Sequence, residues 1–173
     1  MVTVSKKMCL IGDFGVGKTS LIRRFVDGQF SDQYLSTVGV KISRKNIVLS
    51  KENMPDHDLQ LLIWDLEGHT KFKAIAPSYL QGSKGALVVA DVSRPETIDR
   101  IPEHLSLFYS VNPQGKIIIA LNKVDLIEPE KAAKIFYSTQ SLYQERVLSL
   151  YQTSAKTGEY VDEIFEKLAV SMT

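Results

Sequence analysis

Cysteine is almost missing from this chain: Cys9 is the single thiol in 173 residues. One thiol cannot close an internal disulfide or build a cysteine metal cluster, so a reducing compartment is the easier fit. An excess of charge of one sign is missing too. Lys and Arg total 21 against 20 Asp and Glu, a formal charge of +1. That balance gives no support to a broad nucleic-acid or membrane footprint, although a local basic patch stays open. No apolar run approaches the ~20 residues needed to cross a bilayer. The segment MVTVSKKMCL lacks a long apolar signal core. Val2 at the second position excludes myristoylation of this N-terminus, and VSMT holds no cysteine for prenylation. The expectation is a cytoplasmic chain without a lipid anchor, drawn to membranes only peripherally and through a partner. With 10 Gly and 6 Pro, collagen-like and low-complexity readings fail as well.

What is present is a globular pattern: 44% hydrophobic and 24% charged residues, in a chain of one domain's size. Strands are expected at Lys6–Ile11, Gly39–Ser50, Leu59–Asp65, Gly85–Asp91, Lys116–Leu121 and Arg146–Tyr151. The runs LLIW, ALVVA and IIIAL lack polar alternation, which suits strands covered on both faces in a mainly parallel sheet. The second strand mixes Val40, Ile42, Ile47 and Leu49 with Lys41, Arg44 and Lys45 and reads as an edge. The polar stretch Ser50–Asp58, with Pro55, reads as the turn to an antiparallel neighbour.

Helices are expected from the glycine-rich loop to about Asp27, within Lys71–Gln81 (irregular because of Pro77), over Asp99–Tyr109 with Asp99 as cap, over Glu130–Ser141, and at the C-terminus. In the last, Val161, Ile164, Phe165, Leu168 and Met172 form a stripe that reads as core packing.

The strongest local signal is Gly12-Asp-Phe-Gly-Val-Gly-Lys-Thr19, which follows the strand MCLI and precedes the helical SLIRRF. Strand, GxxxxGKT loop and helix in that order form a phosphate cradle. Glycines permit tight turns and close backbone approach, and successive amides at a helix start bind anions. The cradle comprises Gly12, Phe14, Gly15, Val16, Gly17, Lys18, Thr19 and Ser20. Lys18 should reach the β- and γ-phosphates and the Thr19 hydroxyl should bind Mg²⁺.

Three later features extend this site. Asp65 and Gly68 form DLEG, a DxxG pattern. A carboxylate at a strand end can hold Mg²⁺, and the glycine leaves an amide free for a γ-phosphate, although DxxG alone also describes an ordinary turn. Asn122-Lys-Val-Asp125 follows the strand KIIIAL. Asp125 can accept from both guanine N1–H and the 2-amino group, a pattern adenine does not offer. Asn122 can brace the loops and the Lys123 stem can cover the base. Ser154-Ala-Lys156 follows the last strand; the Ala155 amide can meet guanine O6, with Lys156 packing nearby.

GDFGVGKT, DLEG, NKVD and TSAK in this order resemble the Ras-like small GTPases over almost the whole chain. IWDLEG and SYLQGSKGALVVADVS resemble the Rab branch most closely, although the Roc domains of larger proteins share much of the pattern. The resemblance implies an α/β P-loop NTPase fold: three layers, six mainly parallel strands in the order 2-3-1-4-5-6, one antiparallel edge strand and about five helices. It implies one GTPase domain over 1–173, a GDP/GTP switch that hydrolyses GTP with Mg²⁺. Thr37 would be the switch threonine that binds Mg²⁺ and meets the γ-phosphate. Phe30 would pack against guanine and Tyr34 would fold over the phosphates. The segments Ser31–Gly39 and Asp65–Tyr79 would be released when the γ-phosphate is lost. Effectors, exchange factors and GTPase-activating proteins would act through them.

Departures from the family pattern cluster around hydrolysis. Phe14 stands where Ras proteins have glycine and should crowd the γ-phosphate side, obstructing an arginine supplied in trans. Glu67 replaces a small residue, and His69 replaces the glutamine that orients water. A neutral imidazole can hold a water but cannot present an amide's donor and acceptor together. Glu67 has several readings: outward-facing, paired with Lys71 or Lys73, in contact with Mg²⁺, or a general base. The candidate catalytic set is therefore Lys18, Thr37, Glu67, Gly68 and His69. The expected function is guanine-nucleotide binding with slow unaided hydrolysis. The alternatives are an interaction module with negligible turnover and an adenine-dependent kinase or ATPase, which Asp125 disfavours. Outside the site, Cys9 reads as core, His57 and His104 as surface or local hydrogen-bonding groups, Arg23 and Arg24 as a solvated face, and Asp13 as a loop-rim residue off the nucleotide.

Overall fold

The computed structural model describes residues 3–32, 39–50, 52–53, 55–66, 68 and 76–173. Six strands form one sheet: β1 (Val4–Gly12), β2 (Val40–Leu49), β3 (His57–Leu66), β4 (Gly85–Asp91), β5 (Lys116–Asn122) and β6 (Ser149–Gln152). Their spatial order is β2-β3-β1-β4-β5-β6, as the family resemblance implies. Among the described residues only β2 and β3 pair antiparallel, from Val40 opposite Leu66 to Leu49 opposite His57. All seven residues of β4 are buried, as are six of the seven in β5, matching the unbroken apolar runs of strands covered on both faces.

Helices cover both faces and make two cores. On one side α1 (Lys18–Asp27) and α6 (Val161–Ser171) bury Leu21, Phe25, Ile164, Phe165 and Leu168. Phe25 and Phe165 stack with ring centroids 4.3 Å apart. On the other side lie α2 (Ala76–Leu80), α3 (Pro95–Asp99), α4 (Ile101–Val111) and α5 (Pro129–Tyr143), around Ile101, Leu105 and Phe108. The chain runs to one side of β1 to make β2 and β3 and crosses to the other for β4. The carboxyl ends of β1 and β4 thus form a topological switch point, where open α/β sheets bind ligands.

Some element boundaries differ from expectation. Asp99 does not cap the third helix: it ends α3, a separate helical segment with Pro95 in its first turn. The next helix starts after Arg100, whose side chain makes no capping bond and is drawn to Asp13 instead. β6 begins at Ser149 rather than Arg146, because the Arg146 amide closes a turn onto the Tyr143 carbonyl at the end of α5. Pro77 lies in α2, a short helical segment within the expected Lys71–Gln81, and residues 69–75 before it lie outside the described residues.

Candidate functional site

At the switch point a cleft of about 310 Å³ opens, lined by Phe14, Gly15, Gly17, Lys18, Thr19, Ser20, Phe30, Gly68, Asn122, Lys123, Asp125, Ala155 and Lys156. These residues come from the loop after β1, the chain after α1 and β3, the turn after β5 and the loop after β6. Four separate sequence motifs thus meet in one cavity of ligand-binding size.

The loop between β1 and α1 is held by motif side chains. Lys18 Nζ donates to the Gly12 and Asp13 carbonyls, each at 2.9 Å. Lys123 Nζ donates to the Gly15 carbonyl at 2.8 Å, and Asn122 Nδ2 to the Val16 carbonyl at 3.0 Å. Gly17 has φ +103° and sits so close to Asn122 that an added Cβ would lie 2.3 Å from Nδ2. Only glycine meets both demands. Val16 contributes backbone alone, its side chain being fully buried in the core.

Lys18 is 6% exposed. Burial pushes its pKa down to about 8, against the opposing pull of the Asp65 and Asp13 carboxylates. A buried ammonium spending its protons on two carbonyls is a site short of an anion, and phosphate oxygens would supply it. The Thr19 hydroxyl donates to Asp65 Oδ2 at 2.5 Å, across from the loop. Gly68 lies against the loop: an added Cβ would be 2.4 Å from the Phe14 amide nitrogen. Thr37, Tyr34, Glu67 and His69 fall outside the described residues.

On the base side, Lys123 takes the left-handed conformation, φ 68°, at the head of a 3₁₀ turn over Val124–Leu126. Thr153 Oγ1 donates to Asn122 Oδ1 at 3.1 Å, and Ser154 Oγ donates to Asp125 Oδ1 at 2.6 Å. Ser154 is fully buried; it therefore aims Asp125 rather than lining the cleft. Asp91, 1% exposed, takes the Lys123 ammonium at 3.0 Å.

Sequence reasoning missed several residues here. Asp13 is buried, its carboxylate bound by Arg100 and by His104 Nε2 at 3.0 Å. His104 is therefore a buried partner of the loop, not a surface group. Arg24 is not part of a solvated face: Nη2 donates to the Lys156 carbonyl at 2.7 Å. Leu126, 59% exposed and lining the cleft, continues the wall beside Asp125. An exposed leucine directly after NKVD was the one signal available in the sequence.

The model of the Ras family matches residues 7–173. The chain belongs to the Ras family. This small GTPase is 33% identical to GTP-binding protein ypt5 of Schizosaccharomyces pombe, over 98% of this chain and 78% of that one. It is 36% identical to Ras-related protein Rab-4 of Dictyostelium discoideum, over 93% and 76% of the two chains. For Ras-related protein RABF2b of Arabidopsis thaliana the identity is 32%, over 96% and 80%. These relatives place it in the Rab branch. It is a nucleotide-dependent switch that binds guanine nucleotide, hydrolyses GTP and works through regulators and effectors.

Proposed function

We propose that residues 1–173 form one GTPase domain that hydrolyses GTP slowly when unaided. The observation that carries this reading is the position of Phe14, a bulky ring in the wall of the phosphate cleft, with Gly68 packed against its backbone. A side chain there takes the space through which an arginine from a partner would reach the γ-phosphate. In the sequence next to Gly68, His69 replaces the glutamine that the family pattern uses to orient water, and Glu67 replaces a small residue with a carboxylate that would oppose phosphate charge if it faced the cleft. Both changes raise the barrier of a reaction that depends on positioning and charge compensation. The Lys18 ammonium and the loop amides hold the phosphates and offset charge as water attacks in line.

The Thr19 hydroxyl and Asp65 carboxylate suit a hard, oxygen-seeking cation. These two residues, with Thr37, would hold Mg²⁺, which supplies charge neutralisation at the phosphates. Phe30, in the cleft wall, would pack against the base, with Tyr34 over the phosphates. Effectors and regulators would meet the two switch segments and the neighbouring sheet edge, where Ile42, 49% exposed, lies opposite Trp64. No helix among the described residues is long and apolar enough to cross a membrane. We place the protein in the cytoplasm, with peripheral recruitment to membranes through a partner.

Single-turnover phosphate release from the GTP-loaded protein tests the hydrolysis reading. Slow release that accelerates in a Phe14→Gly variant with an activating partner supports it. Unaided turnover near ~1 s⁻¹, the lower end of ordinary enzyme rates, refutes it.

A further inference from the structure

The loop from Gly12 to Gly17 leaves none of its carbonyls unbound. Motif residues take Gly12, Asp13, Gly15 and Val16, and the first bond of α1, from the Leu21 amide, takes Gly17. The remaining one, Phe14, is taken by a residue no motif marks. Arg94 Nη1 donates to the Phe14 carbonyl at 2.8 Å from the turn after β4. Arg94 and Phe14 are 80 residues apart in sequence.

Three of these donors come from beyond the loop and the helix that follows it: Arg94, Lys123 and Asn122, on Phe14, Gly15 and Val16 in succession. In a trans peptide the carbonyl and the following amide point in opposite directions. Each donor that draws a carbonyl outward therefore turns the next amide inward. Arg94 sets the Gly15 amide, Lys123 the Val16 amide and Asn122 the Gly17 amide. Gly15 and Gly17 both have positive φ, which lets the chain sustain this run of amides.

One buried carboxylate organises two of the three donors. Asp91 Oδ2 is 3.0 Å from Lys123 Nζ and 4.0 Å from Arg94 Nη1, while Oδ1 accepts from the Ser93 amide and hydroxyl. Glu96 holds the other edge of the guanidinium, 3.4 Å from Nε.

We propose that Arg94 is a positioning residue of the phosphate cradle, fixing the Phe14–Gly15 peptide so that the Gly15 amide faces the anion. This rests on the reading of the loop as the di- and triphosphate site. Its signature is a loss of affinity for nucleotides with two or more phosphates that spares the monophosphate. Arg94→Ala and Arg94→Lys are compared with wild type for GMP, GDP and a non-hydrolysable GTP analogue, by displacement of fluorescent GDP in 0.1 M and 1 M salt. Thermal unfolding without nucleotide is followed in parallel. Arg94→Ala should weaken GDP and the GTP analogue about tenfold, the value of one charge-assisted hydrogen bond, and GMP by less than twofold. Arg94→Lys, which keeps a charged donor, should recover most of the loss.

The loss should persist in 1 M salt, where the Debye length is about 3 Å. GDP affinity within twofold of wild type, an equal loss for all three nucleotides, or a loss abolished by 1 M salt would overturn the inference. Wild-type protein that fails to bind GDP at all would instead defeat the reading of the loop, and this inference with it.

Discussion

Arg24 and Lys156 are 132 residues apart, yet the Arg24 guanidinium donates to the Lys156 carbonyl at 2.7 Å. Arg24 lies in the last turn of the helix whose first turn carries Lys18 and Thr19. Lys156 lines the cleft, in the loop after β6. One helix thus spans the proposed site, with the glycine-rich loop at its amino end and the loop proposed to meet the base tied to its carboxyl end. The fit is close: a Cβ on Gly158 would lie 3.3 Å from Arg24 Nε.

Cutting this tie should speed nucleotide release. Arg24→Ala is expected to raise the GDP dissociation rate at least about tenfold, since hydrogen bonds from charged donors contribute about 1.5–3 kcal/mol when well made. Arg24→Lys should fall between. Stopped-flow release of fluorescent GDP measures it; a rate within twofold of wild type would show that the base loop holds its place unaided.

Gly68→Ala should separate GTP from GDP. The new Cβ would lie 2.4 Å from the Phe14 nitrogen and 2.5 Å from the Asp13 carbonyl carbon, both backbone atoms that cannot swing away. The chain after β3 must therefore move off the loop and withdraw the amide offered to a γ-phosphate. Affinity for a non-hydrolysable GTP analogue is expected to drop about tenfold, with GDP changed less than threefold. Equal losses for both nucleotides in a competition assay would refute this assignment.

Lys18 should make binding proton-linked. Burial holds its pKa near 8, well below the usual lysine value. In nucleotide-free protein without divalent ion, the unfolded chain binds one more proton than the folded one between pH 8 and about 10.4. This group's contribution to stability therefore rises with pH across that window and is least favourable below it. A phosphate restores the charge, so binding GDP should take up a fraction of a proton at pH 8.5. Calorimetry in EDTA, in buffers of different ionisation enthalpy, reads that uptake directly; zero uptake would contradict it.

Asp125→Asn should change the base that is read. Ser154 Oγ donates to Asp125 Oδ1 at 2.6 Å. An asparagine keeping that bond through its oxygen turns its NH₂ toward the ligand, where it clashes with the guanine donors and suits the 2-oxo group of xanthine. GDP affinity is expected to fall at least about 100-fold, because a site built for a hydrogen bond rejects a mismatched partner strongly. Xanthosine diphosphate should become the preferred ligand; unchanged preference for GDP in direct competition would sink the assignment.

Much of this was legible locally. The apolar runs around Val88 and Ile118 announced strands buried on both faces, and GxxxxGKT announced a cradle because glycine conformations and a helix start are near-neighbour properties. NKVD and SAK were readable for the same reason. Asp13 and His104, 91 residues apart, carry no such local pattern, and their pairing stayed hidden. Arg24 likewise reads as a surface arginine until the last loop folds back over it.

By itself the sequence determined the doubly covered sheet and supplied the motifs from which an anion site and a base-reading carboxylate are proposed, because each rests on residues within a few positions of one another. Tertiary structure decided which way the loop's peptides face. Those orientations depend on donors brought in from β4, β5 and the turns after them, and a carbonyl turns toward whichever donor the fold places beside it. The scarce cysteine, the balanced charge and the short apolar runs narrowed the field. The contacts of Arg94 and Arg24 exist only once strands far apart in the chain have found their places in the sheet.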